Sequence, residues 1–313
     1  MLKLITLIGL ILLETFSAIM SRGSQASIQK LKLAIYQIDA ALGDAHAQCN
    51  LGKCYAAGGS VGQDYEEAIR WFHKAAAQDL AEAQFCLGRC YYDGCGVTKN
   101  RQAAVKWYHM AAEQGLAGAQ FCLGMCYYVG EDIAQDKEAA VKWFRKAAEQ
   151  GMVLAQNNLG VCYYDGEGVE QNYGEAVKWY HKAAEQGDAA TQFCLGHCYN
   201  NGIGVVQNYN EAVKWYRKAA EQGHAASQYN LGNCFYNGDG IAQDYEEAVR
   251  WYREAANQDF VLAQLRLGDC YRNGVGVTQS IKEAVRLYHK AADQGNEEAK
   301  KALEELEHER VGD

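Results

Sequence analysis

A unit of 36 residues recurs seven times with no insertion or deletion, in copies that begin at Ala45, Ala81, Ala117, Val153, Ala189, Ala225 and Val261. A fixed period of about 20–50 residues marks a solenoid, in which each unit buries its apolar face only against its neighbours. The repeat therefore sets the class of fold before any other feature. It predicts an all-α, right-handed α/α superhelical solenoid of seven helix pairs with a capping helix at each end. Such an array offers an extended surface for binding and no assembled catalytic centre.

Each copy contains two helical patterns and two stop signals. In the fourth, Ala155, Leu159 and Cys162 fall on one helical face, and Gly166 follows where a C-terminal cap belongs. Asn172 and Glu175 then outline a capping box. The box recurs as Asp64/Glu67, Asn208/Glu211, Asp244/Glu247 and Ser280/Glu283, whereas Ala103 and Ala139 leave only the cap in the second and third copies. The second helix carries Ala176, Val177, Trp179, Tyr180, Ala183 and Ala184, and Gly187 closes it. All six tryptophans occupy one repeat position, where the seventh copy has Leu287. A glycine recurs inside every first helix, from Gly52 to Gly268. Glycine costs roughly 0.5–1 kcal/mol against alanine there, so close approach of the partner helix is expected, with small residues such as Ala68 or Ala176 opposite.

The run A-x-A-Q-x-x-L-G-x-x-Y-x-x-G-x-G-V, followed by A-V-K-W-Y-x-K-A-A-E-Q-G, resembles the Sel-1-like repeat, a relative of the tetratricopeptide repeat, over residues 45–296. The resemblance implies an α/α solenoid acting as adaptor or scaffold, and no reaction. Some secreted bacterial members staple each repeat by disulfides flanking the turn after the second helix. Here those places hold Ala184 and Ala155 or their equivalents, so that pairing does not carry over.

The ends differ from the repeats. Residues 1–21 combine Lys3, an apolar run from Leu4 to Leu13, and small residues at Ser17, Ala18 and Ser21, the pattern of a signal peptide. The run is too short for a stable membrane span, which needs about 20 residues. Residues 22–44 read as an N-terminal capping helix with an apolar seam of Leu31, Ile35 and Ile38. Residues 297–313 read as a C-terminal capping helix, apolar at Ala299, Ala302, Leu303 and Leu306, with a frayed end from Val311. A secretory or periplasmic location follows from the N-terminus. The twelve cysteines, none paired by spacing, make the cytoplasm the alternative.

Seven of those cysteines share one position, from Cys54 to Cys270, and read as small buried hydrophobes. Cys86, Cys122 and Cys194 stand one turn earlier. Cys86, Cys90, Cys122 and Cys126 are the set that a zinc reading would use, against the simpler reading of packed thiols. Cys95, in a loop, reads as the exposed, reactive thiol. His73, His109, His181 and His289 interchange with Arg145, Arg217 and Arg253, which suits an exposed polar position. Lys178 and Lys182 read as a solvated helix face. Ser27-Ile28-Gln29-Lys30 matches the S-x-x-K of penicillin-recognising enzymes without its partner motifs. Neither a catalytic residue nor a cofactor or metal site is assigned.

Positions that vary among the copies are the candidates for contact, because first helices are expected to line the concave face. One series is Lys53, Arg89, Met125, Val161, His197, Asn233 and Asp269. Another carries the aromatics Phe85, Phe121, Phe193 and Tyr229, which could equally pack between helices. The basic-to-acidic run of the first series would orient an extended partner. A formal charge of −9 disfavours nucleic acid and anionic membrane. The expected function is a non-enzymatic adaptor for a protein or peptide. The alternatives are a secreted cysteine-rich hydrolase of the beta-lactamase-like type, or a thiol-based metal or redox protein.

Overall fold

The computed structural model of the protein describes residues 25–59, 61–130 and 133–312. The segment 1–21, with its signal-peptide reading, lies outside them. The chain forms two compact units, Met1–Met152 and Val153–Asp313. The first contains α1 (Gln25–Ala41), α2 (Ala45–Ala57), α3 (Tyr65–Ala76), α4 (Ala81–Asp93), α5 (Arg101–Glu113), α6 (Ala117–Val129) and α7 (Lys137–Glu149). The second contains α8 (Val153–Asp165), α9 (Tyr173–Glu185), α10 (Ala189–Asn201), α11 (Tyr209–Glu221), α12 (Ala225–Asn237), α13 (Tyr245–Asn257), α14 (Val261–Asn273), α15 (Ile281–Asp293) and α16 (Glu297–Gly312). Every element among the described residues is a helix, and within each unit each helix packs on its neighbours in sequence. The fold is all-α and solenoid-like.

The stop signals work through the backbone. Gly166 takes a left-handed φ of 74°, and both Gly166 N–H and Glu167 N–H donate to the Cys162 carbonyl at 2.9 and 3.0 Å, closing α8. The second glycine of the G-x-G at Gly96, Gly204, Gly240 and Gly276 has a different task. A Cβ on Gly204 would collide with the backbone of Tyr173, at the start of the preceding repeat's second helix. The expected capping box is only half made. Asn172 Oδ1 accepts from Glu175 N–H at 3.0 Å, but the Asn172 N–H donates to the Tyr163 carbonyl at 2.8 Å. That leaves the Glu175 side chain to pair with Lys178.

The core of each repeat is a ring laid on a glycine. A Cβ on Gly160 would stand 2.5 Å from the Tyr180 ring and 3.3 Å from the Ala176 carbonyl. The same clash recurs with Phe72 at Gly52 and Tyr252 at Gly232. The close approach is thus real: Ala68 and Ala176 stand opposite the glycines through their carbonyls, and an aromatic ring of the same helix comes closer still. Ala155, Leu159 and Cys162 are buried as expected. Trp143, Trp179, Trp215 and Trp251 are also buried, and Leu287 in their register is equally enclosed. Lys182 is not simply solvated: its ammonium stands 3.9 Å from the Trp179 ring centre, with Lys146 and Lys218 repeating the contact.

One polar device joins successive helices. Gln156, Gln192, Gln228 and Gln264 are buried in first helices, where an unpaired amide would be costly. Gln192 Nε2 donates to the Ala184 carbonyl of the preceding helix at 3.0 Å, and its Oε1 accepts from Gln222 Nε2 at 2.8 Å. Gln186→Gln156, Gln258→Gln228 and Gln294→Gln264 repeat the second bond. The N-terminal unit has the same ladder at Gln48, Gln84 and Gln120.

The end helices are fragments of the same unit. In α1 the buried seam is Leu33, Ala34 and Ala40, with Tyr36 packed beside it, and not Leu31, Ile35 and Ile38; Ile35 is exposed. The reason is register: Leu33, Tyr36 and Ala40 lie one period before Ile69, Phe72 and Ala76, so α1 docks as a lone second helix. Gln48 Nε2 donates to the Ala40 carbonyl at 3.2 Å, as it would to a full repeat. At the other end, Ala299 and Leu306 of α16 cover Leu265 and Tyr288 as a lone first helix. That helix runs from Glu297 to Gly312.

Candidate functional site

The variable first-helix positions are solvent-accessible. Arg89 and His197 are exposed, whereas Lys53, Met125, Val161, Asn233 and Asp269 are half-buried. At Asn233 and Asp269 the half-burial has a cause: each lies over the core ring of its own repeat. Where that ring is a tyrosine with an acceptor above it, the hydroxyl bonds outward. Tyr252 Oη donates to Asn233 Oδ1 at 2.7 Å, and Tyr288 Oη donates to Asp269 Oδ1 at 2.9 Å. A buried side chain thus orients a surface one.

In the C-terminal unit Asn233, Tyr252 and Asp269 line a cavity of about 390 Å³, together with Tyr229, Tyr236 and Arg266 among others. Arg266 pairs with Asp269 at 3.5 Å and also bonds the Tyr229 side chain. Burial pushes the Asp269 carboxyl above the usual carboxylate range, while Tyr288 and Arg266 pull it back.

In the N-terminal unit a cavity of about 350 Å³ opens between the first two repeats, lined by Lys53, Phe72, Cys86, Arg89, Cys90 and Cys95 among others. Lys53 reaches Glu82 at 2.8 Å. Cys95 is half-buried at this cavity and not exposed as its loop position suggested.

The aromatic series packs within its own repeats. Ring centres lie 5.9 Å apart for Phe85–Tyr108 and Phe121–Phe144, 6.1 Å for Phe193–Tyr216 and 6.0 Å for Tyr229–Tyr252. These residues support the core ring and leave only an edge to solvent. The histidine position is likewise more than a polar surface. His73, His109 and His181 set their rings edge-on to Trp107, Trp143 and Trp215 of the following repeat, at 5.7, 5.7 and 5.4 Å.

Burial dominates most of the thiols. It pushes Cys90, Cys122 and Cys126 up to about 11 and Cys198, Cys234 and Cys270 up to about 12, which makes them poor nucleophiles. Among the described residues no three His, Cys, Asp or Glu side chains converge as a metal site, so Cys86, Cys90, Cys122 and Cys126 are not gathered into one. Nor is any described helix long and apolar enough to cross a membrane.

The signature described as "Sel1 repeat" matches residues 45–80, 81–116, 117–152, 153–188, 189–224, 225–260 and 261–296. The structure is similar to a protective antigen of uropathogenic Escherichia coli strains displaying an SLR fold, at 38% identity and a TM-score of 0.84. That match covers 88% of this chain but only 59% of the antigen, so the chain spans about three fifths of that relative's length. It is also similar to a Sel1 repeat protein from Oxalobacter formigenes, at 33% identity and a TM-score of 0.71, covering 96% of this chain and 86% of that one. No curated protein matches the sequence. Neither the hydrolase nor the thiol-based metal or redox alternative gains support from these likenesses. With every copy of its 36-residue unit matched, the chain belongs to the Sel1 repeat family, whose members are typically non-catalytic scaffolds for protein–protein interaction.

Proposed function

We propose that the protein is a non-enzymatic adaptor that holds an extended segment of a protein or peptide partner against its first-helix faces. The observation that carries this reading is the pair of outward bonds from buried tyrosines, Tyr252 to Asn233 and Tyr288 to Asp269, at the lip of the 390 Å³ cavity. Side chains held in place before binding lose little freedom on contact, which favours affinity. The Asn233 amide suits a partner's backbone peptide group, and Asp269 suits a basic side chain. In the N-terminal unit, Lys53 and Arg89 suit an acidic segment. In the same reading α1 and α16 cap the repeats, and residues 1–21 direct export; intact-mass measurement of protein from the native cell would then show truncation after Ser17 or Ser21.

The binding test is affinity capture from the native cell with wild type, an Asn233→Ala/Asp269→Ala double variant, and Lys214→Ala on a second helix. Partners should be lost with the double variant and kept with Lys214→Ala. Retention of every partner by the double variant would place binding elsewhere.

A further inference from the structure

Cys86, Cys122 and Cys194 occupy the same position in three repeats, yet their surroundings differ. Cys86 lies against Cys49 of the preceding first helix, thiol to thiol. The residues in the register of Cys49 are Phe85 in the second repeat and Asn157 in the fourth. Cys49 is fully buried in the core cluster on whose edge Cys86 sits. Cys86 in turn faces the 350 Å³ cavity, with Lys53 and Arg89 on the same wall.

We propose that Cys86 and Cys49 form a thiol-oxidation site, in which a small hydroperoxide entering this cavity oxidises Cys86 and Cys49 then closes a Cys49–Cys86 disulfide. The electrostatics favour this order. Contact with Cys49 holds Cys86 below the ordinary thiol range, and Lys53 and Arg89 add to that against burial and Glu82. Cys49 is pushed upward, by Cys86 first and then by burial. Burial instead pushes Cys122 and Cys194 up to about 11. Cys86, which lines the cavity, is thus the thiol that a hydroperoxide meets first, and Cys49 lies buried beneath it.

The steps balance. The Cys86 thiolate attacks one peroxide oxygen, the O–O bond breaks, and an alcohol (water, from hydrogen peroxide) leaves after taking a proton from solvent. Cys86 is now a sulfenic acid. Oxidation also removes the Cys86 charge that chiefly pushed Cys49 upward; the Cys49 sulfur then attacks the sulfenic acid, the S–O bond breaks, and the hydroxyl leaves with the Cys49 proton as water. Two thiols have lost two electrons, and the hydroperoxide has gained them. The site shares Lys53 and Arg89 with the proposed binding surface but does not depend on that reading.

The test treats the full chain with one equivalent of hydrogen peroxide, blocks remaining thiols, and maps unreduced tryptic peptides. Trypsin separates Cys49 in 33–53 from Cys54, and Cys86 in 75–89 from Cys90 and Cys95. The expected result is 33–53 joined to 75–89, formed at least about tenfold faster than any oxidation of Cys122 or Cys194. With Cys49→Ser, Cys86 should stop at a sulfenic acid that dimedone traps. With Cys86→Ser, Cys49 should stay reduced. Cys86 joined instead to Cys90 or Cys95, equal oxidation of Cys122 and Cys194, or no joined peptide in the wild type would each overturn the proposal.

Discussion

The two units are built from one repeat but finish its surface differently. In the C-terminal unit the core ring is always tyrosine, at Tyr180, Tyr216, Tyr252 and Tyr288, and two of its hydroxyls orient Asn233 and Asp269. In the N-terminal unit Phe72 and Phe144 flank Tyr108, and the residues in the register above the phenylalanines are Lys53 and Met125, which offer no acceptor. Lys53 takes its orientation from Glu82 instead. The lesson is that the variable surface is partly specified from below: one hydroxyl added to a core ring changes what the surface residue can bond.

The largest test of the common frame is Trp179→Ala. Truncating a buried aromatic costs about 3–5 kcal/mol, so urea unfolding should show the C-terminal unit destabilised by that much, with hydrogen exchange accelerated around α8 and α9. Next comes Gln192→Ala, which removes two hydrogen bonds of the rung and leaves the Ala184 carbonyl only its bond from Gly187 N–H and the Gln222 amide only its bond to the Lys218 carbonyl. A loss of about 1–3 kcal/mol is expected; a smaller one would mean that water replaces the bond. Tyr252→Phe sharpens the contrast between units, because it gives a C-terminal repeat an N-terminal ring. It should cost about 0.5–1.5 kcal/mol and weaken partner binding, whereas Tyr180→Phe, below Val161, should cost less by the same assay.

A pH effect should be smaller still. His224 caps α12 by accepting from Ser227 N–H at its ring nitrogen, which requires the neutral ring. Burial lowers its pKa from 6.5, with Asp188 opposing, so the folded chain binds fewer protons than the unfolded one. Its contribution is complete above about pH 6.5 and is lost as the pH falls through the lowered value. His224→Asp keeps a cap and should flatten the slope of melting temperature between pH 7 and 5. The smallest effect belongs to Val161→Asp. It imitates Asp269 over Tyr288, so the melting temperature should stay nearly unchanged while partner affinity falls. A destabilisation as large as that of Trp179→Ala would make Val161 part of the core.

Much of this frame is legible in the chain because periodicity states each constraint seven times. The glycines announced a close contact, and the burial of Leu159 and Cys162 followed from helical spacing. What stayed hidden joins residues far apart in sequence. Gln156 looks like a solvent-facing amide until Gln186 is folded onto it, although its recurrence in every copy was a signal. Subtracting one period from Ile69, Phe72 and Ala76 would have found the seam of α1; reading α1 alone selected the wrong face. At the candidate surface, spacing placed Asn233 and Asp269 on an accessible face. It could not show that Phe85 or Tyr229 would be occupied by the core ring, nor that Cys49 would meet Cys86 of the next repeat.

The glutamine ladder also governs how such a chain can grow. Each rung ties a first-helix amide to a glutamine in the turn after the second helix, 30 residues on. One residue added within either helix would turn everything beyond it by about 100° and unhook a buried rung. One added in the connecting loop would lift the second glycine from the helix it touches. A complete unit, by contrast, brings its own rung and disturbs no other. Length is therefore quantised: the array can gain or lose whole copies while fractions are penalised, and seven copies without a gap are the outcome of that arithmetic.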